Sequence, residues 1–336
     1  MTLKSPFSLS RALKAQKKLR RLVEKVARQS WPLAKSTKAK KKHVRPQFVE
    51  RIGFGSNPGR LKMKVYVPPR LARNSPLVVL LHGCLQTPES FDAGSGFSAL
   101  AGRRRFALLC PQQSRSNNAN LCFNWFRPSA VARDRGELMS IKQMIDTTIS
   151  DHRLDGSRVY IAGLSAGGAM ACALAATYPD MFDGVAIFAG LPFGAARDAV
   201  SALSLMRSSV ERSALAWGDL VRLASPGATL WPPLSIWQGS DDRTVHPANA
   251  EAILSQWLDV TGLERNAAIL RMKPWGRVER WQAGGRDPIS YYRLDGFGHG
   301  LPVGKDSLAG VKGGRDRFVL PAGVSAPREL MKLWGL

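Results

Sequence analysis

The sequence predicts an α/β fold in which a mainly parallel sheet is covered by helices on both faces. Short apolar runs at residues 76–81, 159–162 and 184–188 have the composition of strands that are buried on both sides. Segments with helical spacing separate these runs, and each run leads into a loop that contains glycine. Alternation of buried strands and helices is typical of parallel sheets, because each crossover must return to the edge where the previous strand began.

The chain of 336 residues divides by composition near residue 46. Residues 1–46 hold fifteen Lys or Arg residues and a single acid, Glu24, in a chain whose formal net charge is +24. We expect a basic tail, partly helical or disordered, followed by one large α/β domain over residues 47–336. A helix over residues 10–28 would carry an imperfect apolar stripe.

Three interpretations of the basic tail are open. It could be a solvated arm with no partner, or a helix that associates with an anionic membrane or with the surface of a polymer granule. Nonspecific contact with nucleic acid is the least favoured, because Trp31 supplies little of the aromatic interleaving that such sites use.

Composition also bears on localisation and cofactors. No apolar run reaches the roughly eighteen residues of a membrane-spanning helix, and basic residues interrupt residues 1–28 where a secretory signal would be apolar. These features predict a cytoplasmic protein, with association to polymer granules as an open alternative.

We expect no cofactor and no metal, because the four cysteines lack metal-ligand spacing: Cys84, Cys110, Cys122 and Cys172.

The strands and the helix between residues 48 and 152 are predicted from apolar patterns and turn residues. Residues 48–52 and 61–67 are predicted as two strands joined by a Gly/Asn/Pro turn, and residues 106–110 as a buried strand that Pro111 ends. Residues 133–152 are predicted as a helix, because their apolar positions have helical spacing.

A G-x-S-x-G motif at residues 163–167 is the central feature of the sequence. It follows a predicted strand and precedes a run of small residues and helix formers, the context of a sharp strand-to-helix turn. Such a turn holds its serine in a strained conformation, and a Cβ on either glycine would collide with neighbouring backbone. We therefore predict that Ser165 is a nucleophile at a helix N-terminus.

The loop at residues 82–86 follows the predicted central strand and contains a His-Gly pair. Acyl transfer needs two N–H donors for the oxyanion, one from the residue after the nucleophile and one from an earlier loop. We assign these donors to the backbones of Ala166 and Cys84, with Leu85 as the competing candidate. His82 is interpreted as a structural histidine that bonds within the loop.

Two further segments favour a substrate pocket. The loop that ends at residues 122–126 is aromatic, and it either forms a pocket wall or packs only against itself. Residues 194–231 are rich in Ala, Ser and Leu, and we interpret them as a helical insertion that caps the site.

The acid and the base should follow the serine in the chain order Ser, Asp, His. Residues 233–238 are predicted as a strand, and the loop after them offers Asp241 and Asp242, of which we favour Asp242. His299 follows a predicted hairpin at residues 278–294, is flanked by glycines, and has the required order, so we predict it as the general base. A terminal helix over residues 325–336 should cover the sheet.

Five segments in this order resemble the polyhydroxybutyrate depolymerase/esterase family of α/β-hydrolases, which is related to the feruloyl esterases. The segments read LLHGCLQ, CFNWF, GLSAGG, QGSDDRTVHPAN and GFGHG. The resemblance covers about residues 47–336. It implies the α/β-hydrolase fold and a serine carboxylester hydrolase with Ser165, Asp242 and His299 as its triad.

The resemblance also implies roles for residues that the chemistry alone did not assign. It implies a disulfide between Cys84 and Cys122 beside the oxyanion loop, and a place for Trp125 along the substrate site. Gln86 lies in the LLHGCLQ segment and Asn124 in the CFNWF segment, and both are further candidates for substrate contact.

The implied substrates are short hydroxyalkanoate esters or oligomers. The alternatives are a feruloyl-type or general short-chain carboxylesterase, a thioesterase or acyltransferase, and, from another class, a protein that binds a granule or membrane surface through its tail. Family members that attack solid polymer outside the cell usually carry a signal peptide, a linker and a substrate-binding domain, which this sequence does not show. The resemblance nevertheless keeps an extracellular protein as the alternative localisation. The acid loop opens with Gln238-Gly239 where relatives often have His-Gly.

Overall fold

The computed structural model describes residues 47–304 and 316–336, and the predicted basic tail at residues 1–46 lies outside these ranges. The strands in the described part are β1 (Val49–Arg51), β2 (Lys62–Tyr66), β3 (Leu77–Leu81), β4 (Ala107–Gln112), β5 (Val159–Leu164), β6 (Gly184–Phe188), β7 (Leu234–Gly239), β8 (Ile269–Lys273), β9 (Gly276–Ala283), β10 (Arg286–Leu294), β11 (Leu301–Gly304) and β12 (Val319–Ala322). The α-helices there are α1 (Pro88–Ser95), α2 (Phe97–Arg104), α3 (Gly136–His152), α4 (Ala166–Thr177), α5 (Ala199–Arg207), α6 (Ala214–Ala224), α7 (Ala248–Thr261) and α8 (Ala326–Leu333).

Ten of these strands form one sheet in the order β1-β2-β4-β3-β5-β6-β7-β10-β9-β8. The six strands from β4 to β10 in this order run parallel, and the strands at both edges are antiparallel. This is the mainly parallel α/β sheet that the sequence predicts. Strands β11 and β12 form a separate parallel pair, which the sequence did not predict.

The central strands are buried along their whole length. Every residue of β3, β5, β6 and β7 is buried, which requires cover on both faces of the sheet. Helix α4 is also buried throughout, because its small residues allow it to lie directly against the strands. The core therefore centres on the strand and helix that flank Ser165.

The second edge of the sheet differs from the prediction. Residues 276–294 form the predicted hairpin, but β8 adds a further strand whose residues are all exposed. An edge strand with neither face buried carries no apolar alternation, so its pattern in the sequence is weak. Among the described residues, none of the helices has the length and apolar composition that a membrane crossing requires.

The prediction that Pro111 ends its strand is wrong. Strand β4 continues through Pro111, which lies opposite Met63 of β2. Parallel pairing of β4 with β3 stops at Leu109, so one side of β4 is unpaired beyond that residue. A proline can be accommodated there because its missing N–H removes no ladder bond.

The predicted insertion at residues 194–231 contains α5 and α6. Helix α6 lies at the end of α4 that is remote from Ser165, where the Ser225 hydroxyl donates to the carbonyl of Ala176 at 2.9 Å. Helix α5 contacts the loop before α7, since the His246 N–H donates to the Met206 carbonyl at 2.9 Å. The interpretation of this segment as a cap over the site stays a prediction.

Candidate active site

Ser165 occupies the turn between β5 and α4. Its backbone has φ 57° and ψ −118°, a conformation that is costly for a residue with a side chain. The Ser165 N–H donates to the Phe188 carbonyl at 2.8 Å, which ties the turn to the neighbouring strand. The strained conformation predicted for this serine is confirmed.

The glycines on either side of Ser165 are required by close backbone contacts. A Cβ at Gly163 would collide with the Gly167 carbonyl oxygen, and a Cβ at Gly167 would collide with the Leu81 carbonyl oxygen. The predicted reason for these two glycines is therefore confirmed. Because the turn is this tight, Ser165 stands directly at the N-terminus of α4, where unpaired N–H groups favour negative charge.

The His-Gly loop lies beside Ser165. A Cβ built on Gly83 would stand 3.5 Å from the Ser165 Cβ, so the backbone of the loop approaches the serine closely. The Leu85 N–H donates to the Asn120 carbonyl at 2.8 Å and is therefore engaged within the protein. The competing candidate Leu85 is thus already bonded, and the assignment of the oxyanion donors to the backbones of Cys84 and Ala166 stays a prediction.

Cys84 and Cys122 are joined by a disulfide, with their Cα atoms 4.2 Å apart. This is the pairing that the family resemblance implies. The bond joins the His-Gly loop to the aromatic segment that begins at Cys122. The position of the Cys84 backbone is thereby fixed from the side of that segment.

The imidazole of His299 and the carboxylate of Asp242 are hydrogen-bonded, with 2.7 Å between Nδ1 and Oδ2. The side chain of Asp242 is fully buried, and that of His299 is 4% exposed. Strands β7 and β10 pair in parallel up to Gly239 and Leu294, which brings the two loops to the same edge of the sheet. Asp241, the competing candidate, is exposed.

The Asp242 carboxylate accepts further hydrogen bonds besides the one from His299. Its Oδ1 accepts from the backbone N–H groups of Thr244 and Val245 at 2.8 and 2.9 Å. Its Oδ2 accepts from the side-chain amide of Gln238 at 3.1 Å. These donors fix the rotamer of Asp242, and Gln238 makes its contribution from near the end of strand β7.

Strands β5, β6, β7 and β10 lie side by side and run parallel. Ser165, Asp242 and His299 follow the carboxyl ends of β5, β7 and β10, so all three lie at the same edge of the sheet. Among the described residues, no hydrogen bond joins the Ser165 hydroxyl to His299. Catalytic hydrogen bonds of this kind are often long before substrate binds. The chain order and the shared sheet edge agree with a serine triad.

His82 is a buried structural histidine in this geometry. Its Nε2 accepts from the Gln113 N–H at 3.2 Å, so Nδ1 carries the proton and donates to the Gly83 carbonyl at 2.8 Å. Burial lowers the pKa of His82 to about 4, and the bond to Gly83 opposes this shift only in part. A neutral imidazole with both nitrogens engaged supports the loop, as the sequence predicts for this histidine.

The amides of Gln86 and Asn124 are both bonded to protein groups, and their contact with substrate stays a prediction. The Gln86 amide accepts from the Gly83 N–H at 2.6 Å and donates to Asp316 at 2.8 Å, so both of its ends are engaged. Asn124 donates its backbone and side-chain N–H groups to Glu137 and accepts from a side chain on its own loop. Both residues hold loops in place, because their amides face buried protein partners.

Trp125 is buried and packs edge to face against Phe126, with ring centroids 5.6 Å apart. Its place along the substrate site stays a prediction.

Sequence reasoning missed two residues that support the site. Asp316 bonds to Gln86, and the ring of Phe318 packs edge to face against the imidazole of His299 at 5.9 Å. Neither residue belongs to a motif, and their partners are distant in sequence. Among the described residues, no cluster of three or more His, Cys, Asp or Glu side chains could hold a metal ion.

The fold and the site geometry define an α/β-hydrolase with a serine at its strand-to-helix turn. The chain belongs to the Esterase PHB depolymerase family, whose model matches residues 61–274. It is a carboxylic ester hydrolase, since the curated relatives that it matches are a depolymerase and feruloyl esterases.

Two relatives and one solved structure illustrate the match. The chain is 39% identical over 285 residues to poly(3-hydroxyalkanoate) depolymerase C of Paucimonas lemoignei, covering 84% of this chain and 69% of that protein. It is 31% identical over 262 residues to feruloyl esterase B of Thermothelomyces thermophilus, covering 76% and 89%. An acetyl xylan esterase from Aspergillus awamori has a TM-score of 0.74 at 22% identity, covering 86% of this chain and 99% of that one, which supports the fold.

Proposed function

We propose that the protein hydrolyses carboxylic esters by two-step acyl transfer with Ser165 as nucleophile. The observation that carries the proposal is the strained Ser165 turn at the same sheet edge as the buried Asp242–His299 pair. Strain of this kind at the end of a central strand is characteristic of nucleophiles in this fold.

In the acylation step, Ser165 Oγ forms a bond to the ester carbonyl carbon and its proton passes to His299 Nε2. Asp242 holds the imidazole with Nδ1 protonated and stabilises the cation that forms. The carbonyl oxygen becomes an oxyanion, which the N–H groups of Cys84 and Ala166 bind. The bond to the alcohol oxygen then breaks, and that oxygen takes the proton from Nε2.

The deacylation step repeats this chemistry with water. Water adds to the acyl carbon while His299 Nε2 takes one of its protons, and the same two backbone amides bind the second oxyanion. The bond from carbon to Ser165 Oγ then breaks, Oγ recovers its proton, and the carboxylic acid leaves. Ser165 and His299 are regenerated, and only the ester and one water molecule are consumed.

We propose short hydroxyalkanoate esters and oligomers as the substrates. The depolymerase of Paucimonas lemoignei is named for poly(3-hydroxyalkanoate) and is 39% identical to this chain, which supports this substrate class. A feruloyl-type activity is the second candidate, because the 31% match to feruloyl esterase B covers 89% of that relative.

Hydrolysis by the purified protein tests both parts of the proposal. The substrates are p-nitrophenyl butyrate, soluble hydroxybutyrate oligomers, methyl ferulate and amorphous polymer granules, each assayed with Ser165→Ala and with Ser157→Ala. Ser157 is an exposed serine whose hydroxyl bonds only to Asp155 among the described residues, so it serves as the matched control.

We expect Ser165→Ala to abolish turnover of every substrate while its thermal unfolding stays close to wild type, and Ser157→Ala to retain full activity. Release of hydroxybutyrate from oligomers supports the hydroxyalkanoate assignment. Turnover confined to methyl ferulate and the aryl ester would overturn that assignment and favour the second candidate. Activity that survives in Ser165→Ala would overturn the mechanism itself.

A further inference from the structure

The turn at residues 316–318 contacts both the His-Gly loop at residues 82–86 and the loop that carries His299. The Asp316 carboxylate is buried, and its Oδ1 accepts from the Gln86 side-chain amide at 2.8 Å and from the Phe318 N–H at 2.9 Å. Gln86 in turn accepts the Gly83 N–H at 2.6 Å. A continuous chain of hydrogen bonds therefore runs from this turn to the residue that precedes Cys84.

The same turn supports the histidine from another direction. The carbonyl of Phe318 accepts the N–H of Leu301 at 2.8 Å, and its ring packs edge to face against the imidazole of His299. Gly300 lies against this carbonyl, since a Cβ built on Gly300 would stand 2.7 Å from the Phe318 oxygen. The carbonyl and the ring of Phe318 thus both contact residues 299–301, which fixes the turn relative to His299.

From these contacts we propose that Asp316 is a positioning residue for the oxyanion hole, which acts through Gln86 and sets the backbone of residues 83–84. The inference rests on the proposed function, because it assigns a task within that reaction. Asp316 does not touch the reacting atoms. It orients Gln86, whose Oε1 accepts the Gly83 N–H while Nε2 donates to Asp316 on the other side.

The orientation of the Gln86 amide depends on a hydrogen-bond acceptor at position 316. A glutamine amide can be turned over, and the reversed amide would present a donor to the Gly83 N–H, which is also a donor. The Asp316 oxygen accepts from Nε2 and so selects the orientation in which Oε1 faces Gly83. The backbone at Gly83 lies close to the nucleophile, since a Cβ built on Gly83 would stand only 3.5 Å from the Ser165 Cβ. A shift of this backbone therefore moves the neighbouring Cys84 N–H away from the place where the oxyanion would form.

The test compares Asp316→Ala with Asp316→Asn and with Asp92→Ala in the full-length protein. Asp92 is the matched control, because it is also a buried carboxylate, and its oxygens accept from the backbone and side chain of Ser98 in a helix junction. Steady-state kinetics on p-nitrophenyl butyrate and thermal unfolding are measured for each variant.

We expect Asp316→Ala to lower kcat about 10- to 100-fold with a change in KM of less than about threefold, because an oxyanion donor acts mainly in the transition state. Asp316→Asn should retain activity within about threefold of wild type when its amide oxygen accepts from Gln86. Asp92→Ala should lower the unfolding temperature while its kcat stays near wild type.

A double-mutant cycle with Gln86→Ala shows whether Asp316 acts through Gln86. We expect Gln86→Ala, Asp316→Ala and the double variant to lose similar amounts of kcat, since all three break one chain of bonds. Gln86→Ala also tests the chain if Asp316→Ala fails to fold. A folded Asp316→Ala or Gln86→Ala protein with wild-type kcat, or losses that multiply in the double variant, would overturn the inference. A wild-type protein that hydrolyses no ester would instead overturn the proposed function, so the two failures are distinguishable.

Discussion

His299 and Asp242 meet at 2.7 Å between Nδ1 and Oδ2, with the carboxylate entirely withdrawn from solvent. The other oxygen of Asp242 is held by two backbone N–H groups, so the carboxylate cannot rotate to serve another partner. This fixed acceptor determines that Nδ1 of His299 carries the proton and that Nε2 is the basic atom. The Asp242–His299 pair therefore supports the role of general base that we propose for this histidine.

Replacing Asp242 by Asn should lower kcat roughly 10³- to 10⁴-fold on p-nitrophenyl butyrate, because the amide can present a donor to Nδ1 and so favour the inactive tautomer. Asp241→Asn is the matched control, since Asp241 is the adjacent acid and is exposed. We expect it to keep kcat within about threefold. Equal losses in the two variants would contradict the assignment of Asp242.

Substitution of Gly83 by Ala should lower kcat about 10²-fold, because the added Cβ would stand 2.9 Å from Gln86 Oε1 and 3.5 Å from the Ser165 Cβ. Gly156→Ala is the control, since the nearest atom to its Cβ would be 4.0 Å away. Unfolding curves show whether each variant is folded. A fully active Gly83→Ala protein would show that this loop does not position an oxyanion donor.

Much of the site could be predicted from the sequence because its residues follow strands in a fixed order. Ser165 is marked by a motif with a strict backbone requirement, and the chain order then leads to His299 and to the loop that offers Asp241 and the favoured Asp242. The parallel sheet was predictable for the same reason, since strands buried on both faces leave continuous apolar runs.

The remaining features depend on contacts that no local pattern records. Asp316 lies 230 positions from its partner Gln86, and only the folded chain brings them together. The motifs that contain Gln86 and Asn124 did not show that both amides face buried protein groups. The exposed strand β8 left no alternation to detect, and Pro111 is accommodated because β4 is unpaired on one side at that point.

Removal of the disulfide should lower both stability and turnover. Cys84 and Cys122 are 38 positions apart, and a cross-link that closes a loop of this length contributes about 4 kcal/mol by restricting the unfolded chain. We expect Cys122→Ala to lower the free energy of unfolding by a few kcal/mol. The variant should also lower kcat, because the Cys84 backbone loses one of its anchors.

Reduction of the wild-type protein with a phosphine is the companion measurement, because it leaves the sequence unchanged. The described free thiols should not interfere, since burial raises the pKa of Cys110 and raises that of Cys172 to about 11. We expect reduced protein to match Cys122→Ala in kcat. Reduced protein with unchanged stability and turnover would show that the bond supports neither.

His82 should make the stability of the protein fall as the pH is lowered from about 6.5 to 4. In the unfolded chain its imidazole has a pKa near 6.5 and takes up a proton, whereas burial in the folded chain lowers the pKa to about 4. The unfolded state therefore binds more protons across this window, which costs the folded state up to roughly 3 kcal/mol at the acid end. Well above pH 6.5 the imidazole is neutral in both states, and this group then contributes no pH dependence.

Urea unfolding of wild type and His82→Gln at pH 7 and pH 4.5 isolates this contribution, because all other titrating groups are shared by the two proteins. We expect His82→Gln to be less stable at pH 7, where it loses bonds to Gly83 and Gln113. Between pH 7 and pH 4.5, however, it should lose less stability than wild type. Parallel losses in the two proteins would show that His82 accepts a proton in the folded state as readily as in the unfolded chain.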